Sequence, residues 1–284
     1  MTVSNSAALL EAFLSAKQIE GCSPKTLRYY RETIERMVQA TEKPITGMTT
    51  DDIRGYPANF QKERKVTNVT LNNIRRIFSS FFTWLEDEEH INKNPTRRIK
   101  NIKTDKTIKA ALTDEEIEML RNACTHKRNL AILDLLSSTG IRAGELIQIN
   151  RSDLDFNERE CIVLGKGNKE RIVYFDGRTK ISLMSYLAGR VDDNPALFVS
   201  LSRPFKRLEQ GGLLTMLRDI GNSTGITQVH PHKFRRTFVT RAIDKGMPIE
   251  QVQNILGHVR IDTTMHYALV NQENVKNSHR KYIG

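Results

Sequence analysis

The stretch INKNPTRRIKNIKTDKTIKAAL, residues 91–112, divides this chain. It is rich in Lys and Arg, poor in apolar residues and without helical periodicity, and Pro95 discourages helix at Asn94. Such a segment reads as a basic interdomain linker. The expected organisation is therefore a first domain over 1–90, a linker over 91–110 and a second domain over 111–284. A chain of 284 residues is long enough for two ordinary domains.

On the N-terminal side the pattern is helical throughout. Leu9, Leu10, Phe13 and Leu14 fall at helical spacing, and Gly21 follows. Ser23 and Pro24 supply an N-cap and a first-turn proline for a second helix. A third starts at Thr50 or Asp51. The fourth, over VTNVTLNNIRRIFSSFFTWLEDEEH, carries the apolar stripe Leu71, Ile74, Ile77, Phe78, Phe81, Phe82 and Leu85. Asn72, Asn73, Arg75, Arg76 and Ser79 lie mostly off that stripe. Four helices without strands predict a compact helical domain.

On the C-terminal side, Thr113 or Asp114 opens a helix whose Glu116 completes a capping box. RNLAILDLLSSTG, residues 128–140, is nearly all apolar, which predicts a buried helix ended by Gly140. Then the period changes. ECIVLGKGNKERIVYF, residues 160–175, holds two β-rich runs around GKGN, a hairpin signal. Helices return at 179–189, at 209–222 and through the C-terminal third. The fold class is thus mainly α: an all-helical domain, then a mostly helical domain with a small antiparallel sheet.

The net charge of +11 favours a polyanionic partner, nucleic acid foremost. No signal peptide is visible, and no apolar run approaches the ~20 residues of a membrane span, so a soluble, cytoplasmic protein is expected. Cys22, Cys124 and Cys161 stand far apart and form no CxxC pair. They read as buried small hydrophobes in a reducing compartment.

Four stretches carry candidate chemistry. In VHPHKFRRTFVTRAIDKG, residues 229–246, Phe234, Phe238 and Ala242 form the expected buried stripe. His232 and Arg235 stand three apart near the positive end of that helix, either as a phosphate pocket or as a capping His and a surface Arg. In STGIRAGELIQI, Arg142 follows a very apolar helix and needs a partner, which Glu145 supplies one turn on. That pair is either structural or a guanidinium held for a phosphate. In GKGNKER, Lys166 sits at the hairpin tip, solvated or inserted into a groove. In LGHVRIDTTMHY, Asp262, Thr263 and Thr264 read as caps of a short helix bearing Tyr267.

Taken together and in this order, TGIRAGEL, GKGNKER, HPHKFRRTF, LGH and Tyr267 resemble the tyrosine recombinases of the phage-integrase family, and among them the Xer-like, simple two-domain integrases. The resemblance implies a SAM-like core-binding domain followed by the catalytic domain. It implies Arg142 and Arg235 as the two catalytic arginines, Glu145 as the acidic support and Lys166 as the hairpin lysine. It implies His232 of the HxxR pair, His258 of LGH, and Tyr267 as the nucleophile. One position departs: where the family often has His after the second Arg, this chain has Arg236.

The implied reaction passes through a 3′-phosphotyrosyl link with a released 5′-hydroxyl, with no metal, ATP or other cofactor. The implied partners are double-stranded DNA with paired inverted-repeat core sites and further copies of the chain, a tetramer or dimer joined through the tail at 271–284. Arg75 and Arg76, with Lys103, Lys106 and Lys109 of the linker, are candidate DNA contacts. Two rivals are a non-catalytic helix-turn-helix protein, built on RAIDKGMPIEQVQNILGH, and a type IB topoisomerase. A metal nuclease is disfavoured, because the sequence holds no carboxylate cluster.

Overall fold

The apolar stripe over residues 71–85 organises the first unit of the fold. In the computed structural model the chain clusters into two units, Met1–Ile108 and Lys109–Gly284. Residues 2–104, 110–165 and 170–257 are described, with side chains from residue 5. The first unit contains helices α1 (Thr2–Ile19), α2 (Pro24–Thr41), α3 (Thr50–Arg64) and α4 (Asn68–Asp87). Local chemistry starts three of them. Ser23 accepts from the Thr26 amide, Thr49 and Asp52 form a capping box, and Thr67 accepts from the Thr70 amide. All seven residues of the α4 stripe are buried. Phe13 of α1 meets Phe81 edge-on at 5.0 Å between ring centroids and lies 5.7 Å from Trp84. Burial of each such ring stabilises by roughly 1.5–3 kcal/mol.

The stretch expected to begin a linker at residue 91 instead starts as part of this unit. Ile91 and Ile99 pack against its core, and Asn94 and Thr96 are buried. The cause is a turn built by Asn94. Its Oδ1 accepts from the backbone N–H and hydroxyl of Thr96, and its Nδ2 donates to Thr83 Oγ1 at 3.1 Å. Thr50 Oγ1 donates to the Pro95 carbonyl, and Arg97 pairs with Glu86 at 2.8 Å. Lys103 is exposed; Lys106 and Lys109 lie outside the described residues.

The second unit contains α5 (Asp114–Asn122), α6 (Lys127–Thr139), α7 (Ala143–Gln148), β1 (Leu154–Asp155), β2 (Glu160–Leu164), β3 (Glu170–Tyr174), α8 (Gly177–Ala188), α9 (Gln210–Thr224), α10 (Pro231–Asp244) and α11 (Ile249–Leu256). Thr113 is the residue that caps α5, with Glu116 returning the bond. Helix α6 is the core rod. Its Ala131, Ile132, Leu133, Leu135 and Leu136 have no solvent exposure. Its one deeply buried carboxylate, Asp134, is satisfied by Arg121 at 2.7 Å.

The strands form an antiparallel sheet in the order β1-β2-β3, with Ile162 opposite Ile172 and Val163 opposite Arg171. Alternation sends Cys161, Val163 and Val173 into the core and leaves Ile162, Ile172 and Tyr174 exposed. The hairpin strands are those expected. The two-residue β1 was not, because it is too short to show a period.

Two expectations change in detail. On α10 the buried residues are Pro231, Phe234, Arg235, Thr237, Val239 and Ala242, while Phe238 is only half-buried. The helix is covered on two sides: Phe234 joins the main core, and Val239 and Ala242 join Val252 and Leu256 of α11. Of the free cysteines only Cys161 is fully buried, and burial pushes its thiol up to about 12. Cys22 and Cys124 are half-buried. No described helix is long and apolar enough to cross a membrane.

Candidate active site

The site begins where α6 stops. Gly140 adopts the left-handed conformation at φ 60, and its N–H closes the helix on the Leu136 carbonyl. A Cβ at this position would lie 3.0 Å from the Phe238 ring, so both the turn and the close approach of α10 require glycine. Two residues later Arg142 is the N-cap of α7. Its backbone N–H donates to Glu145 Oε2 and its Nη1 donates to Glu145 Oε1, each at 2.8 Å.

Glu145 serves two guanidiniums. Arg171, brought in by β3, forks onto the same carboxylate with Nη1 and Nη2, both at 2.8 Å. Burial alone would raise the Glu145 carboxyl. The bonds from Arg171 and Arg142 outweigh it and hold the group down at about 2. The Arg142 side chain stays 39% exposed, against 5% for Glu145, so the carboxylate fixes a guanidinium that still reaches solvent.

Arg235 is the opposite case, with 1% exposure. Its Nη1 donates to the Gly140 carbonyl at 2.8 Å and its Nη2 to the Leu256 carbonyl at 2.7 Å. Arg142 also reaches the carbonyls of Leu256 and Gly257, each at 3.4 Å, and Arg171 Nε donates to that of Ile255 at 2.9 Å. Three guanidiniums thus meet three consecutive carbonyls at the C-terminal, negative end of α11.

At the other end of the site, α10 starts with His230 as its N-cap, whose Nδ1 accepts from the Lys233 amide, and with Pro231 at the first position. His232 is exposed on that first turn. Arg142, His230, His232, Arg235 and Arg236 together line a cleft of about 590 Å³ that also includes Ile141 and Leu214. Arg236, the departure from the family pattern, donates Nη1 to the Ala110 carbonyl at 2.9 Å. Fixed donors around an open cleft suit an anionic group that gains charge during reaction.

Of the expected site residues, Arg142, His232 and Arg235 line one cleft, with Glu145 behind them. Arg235 is not a surface residue sharing an exposed face with His232; it reaches the cleft from within the core. Lys166, His258 and Tyr267 lie outside the described residues. In the first unit, Arg75 and Arg76 line a groove of about 320 Å³ with Lys17 and Trp84, and Arg75 Nε donates to Asn72 Oδ1.

Two residues of the site were not singled out from the sequence. Arg171 shares the inward face of β3 with Val173, a signal present in the alternation of that strand. His230 precedes a first-turn proline, which marks the N-cap position.

Residues 110–274 match the phage integrase family, and residues 9–92 match the N-terminal SAM-like domain of phage integrases. The tyrosine recombinase XerC of Herpetosiphon aurantiacus is 30% identical over 281 residues, which covers 93% of this chain and 91% of that protein. The crystal structure of XerA recombinase superposes with a TM-score of 0.55 at 26% identity, covering 98% of this chain and 99% of the other. A lambda integrase dimer bound to a COC′ core site gives a TM-score of 0.75 at 18% identity, covering 92% and 76%.

Proposed function

The chain belongs to the phage integrase family and is a tyrosine recombinase, and on that premise we propose how its own residues break and rejoin DNA. The Tyr267 oxygen attacks the scissile phosphorus, and the bond to the 5′-oxygen breaks. Tyr267 is left joined to the 3′-phosphate. A free phenol, with a pKa near 10, is a weak nucleophile at neutral pH, so the surrounding cations must do much of the work.

Arg142 and Arg235 donate to the non-bridging oxygens, where charge builds in the transition state. Each preorganised donor of this kind is worth ~3 kcal/mol. His232 assists removal of the phenolic proton, Lys166 protonates the departing 5′-oxygen, and His258 donates to the phosphate. The covalent link stores the phosphodiester energy, so attack by another 5′-hydroxyl exchanges strands without ATP.

The observation that supports this reading is the convergence of Arg142, His232 and Arg235 on one cleft, with Glu145 and the end of α11 holding the guanidiniums in place. In the cell the substrate is double-stranded DNA with paired inverted-repeat sites, bound by protomers that pair and assemble to tetramers through residues 271–284. The basic residues Arg75, Arg76, Lys103, Lys106 and Lys109 contact the DNA backbone. The compartment is the cytoplasm. The helix-turn-helix and topoisomerase readings are not favoured: the tyrosine recombinases XerC of Herpetosiphon aurantiacus and Staphylococcus aureus are each 30% identical to this chain over nearly its whole length.

A nicked suicide duplex tests the reaction. Wild type should accumulate a covalent protein–DNA adduct, and Tyr267→Phe should accumulate none while binding DNA with nearly unchanged affinity. An adduct that persists in Tyr267→Phe removes Tyr267 from the nucleophile's role.

A further inference from the structure

Arg171 stands outside the catalytic set, yet every N–H-bearing nitrogen of its guanidinium is engaged. We propose that Arg171 is a positioning residue, which ties the carboxylate that aims Arg142 to the end of α11, from which the chain runs on to His258 and Tyr267. The proposal rests on the recombinase reading and names a residue that reading did not contain.

The geometry carries it in three steps. First, β3 is a fixed post, paired with β2 at five positions, and Arg171 projects from its inward face opposite Val163. Second, one side chain reaches two elements. Its fork takes both oxygens of Glu145 on α7, and its Nε takes the carbonyl of Ile255 on α11. Third, the stem matters as well as the head. Gly257 has φ +61 and ends α11, and a Cβ there would lie 3.1 Å from Arg171 Cδ. Arg171 therefore packs directly on the C-cap of α11.

Helix α11 depends on such help. It has eight residues, too few to persist alone, and its apolar anchorage is the small cluster of Val239, Ala242, Val252 and Leu256, edged by three partly buried hydrophobic residues. Without Arg171, Glu145 keeps only its bonds to Arg142, and the end of α11 loses its tie to the sheet. A shift of about 1 Å at a reacting group costs on the order of 100-fold in rate. Lysine is a poor substitute. A single ammonium can serve the carboxylate or the carbonyl, but it lacks the planar fork that serves both at once.

Full-length Arg171→Ala and Arg171→Lys decide the matter through three measurements. These are adduct formation on a saturating suicide duplex, affinity for the same duplex, and amide hydrogen exchange of α11 without DNA. Arg171→Ala should slow adduct formation by roughly 10- to 100-fold while DNA affinity stays within about twofold of wild type. Its α11 amides should exchange about tenfold faster, with α6 unchanged. Arg171→Lys should fall between, and should carry the comparison if Arg171→Ala does not fold. The proposal is overturned if adduct rate and α11 exchange both match wild type. It is equally overturned if rate, affinity and global stability decline together and Arg171→Lys restores none of them. If wild type itself forms no adduct, the recombinase reading fails, and the exchange data alone then decide whether Arg171 holds α11.

Discussion

Arg235, in the body of α10, donates a 2.8 Å hydrogen bond to the carbonyl of Gly140, the residue that ends α6. The bond ties one arginine of the cleft to the turn that places the other, because Arg142 follows Gly140 by two positions. One guanidinium is thereby part of the frame, and the other is held out by it.

The two arginines should therefore fail differently. Arg235→Ala should cost about 2–4 kcal/mol of stability, because it leaves a cavity, strands the buried Gly140 carbonyl and leaves that of Leu256 only the longer 3.4 Å bond from Arg142. Arg142→Ala should cost less than about 1 kcal/mol, since its ion pair is partly exposed and Glu145 keeps Arg171. It should nevertheless slow adduct formation by about 100- to 1,000-fold with DNA affinity nearly retained. Urea unfolding and the suicide assay, run on both variants, check the contrast. Equal losses of rate and affinity in Arg142→Ala would mark that residue as structural.

Acid should loosen the second unit through Glu145. Its carboxyl is held at about 2 in the folded chain, below the ordinary 4.5, so the unfolded chain takes up the proton first as pH falls. The stabilisation is complete above pH 4.5 and is lost as pH falls to about 2. Glu145→Gln should be less stable at pH 7 and should show a shallower decline between pH 5 and pH 2. Asp52, held down to about 2 chiefly by Lys43, adds its own decline in the first unit and should persist in that variant. Parallel pH profiles for wild type and Glu145→Gln would contradict the assignment.

Gly140→Ala meets two penalties, a left-handed backbone and a contact with Phe238. A loss of roughly 1–3 kcal/mol is expected in thermal unfolding, with slower cleavage because Arg142 moves with the turn. Adding Phe238→Ala should relieve the contact but not the backbone strain, so the double variant should lose less than the sum of the single losses. Simple additivity would show that the contact is irrelevant.

If Arg76 touches a phosphate, Arg76→Ala should weaken binding to all sequences alike. The slope of log affinity against log salt should become shallower by about 0.9. An unchanged slope would return Arg76 to the solvated face of α4.

Local signals in the sequence were reliable guides. The α4 stripe, the caps at Ser23 and Thr113 and the paired strands β2 and β3 each depend on neighbours a few residues away, and each is present in the fold. Legibility fails where the compensation is distant. Nothing near Asn94 in sequence announces that its side chain bonds Thr83. Full burial of Arg235 runs against the usual habit of arginine, and it is made affordable by carbonyls of Gly140 and Leu256, 95 and 21 residues away. Arg171 shows its inward direction in the strand alternation, but its second partner lies 84 residues downstream. The expectations for Lys166, His258 and Tyr267 rest on motif order alone, and all three lie outside the described residues.

The carbonyls that anchor the three guanidiniums at α11 belong to Ile255, Leu256 and Gly257. Translation delivers them long after Arg142 and Arg171 have left the ribosome. A nascent polypeptide thus carries the arginines without their moorings, and the joint arrangement of the three guanidiniums is completed only with the last part of synthesis.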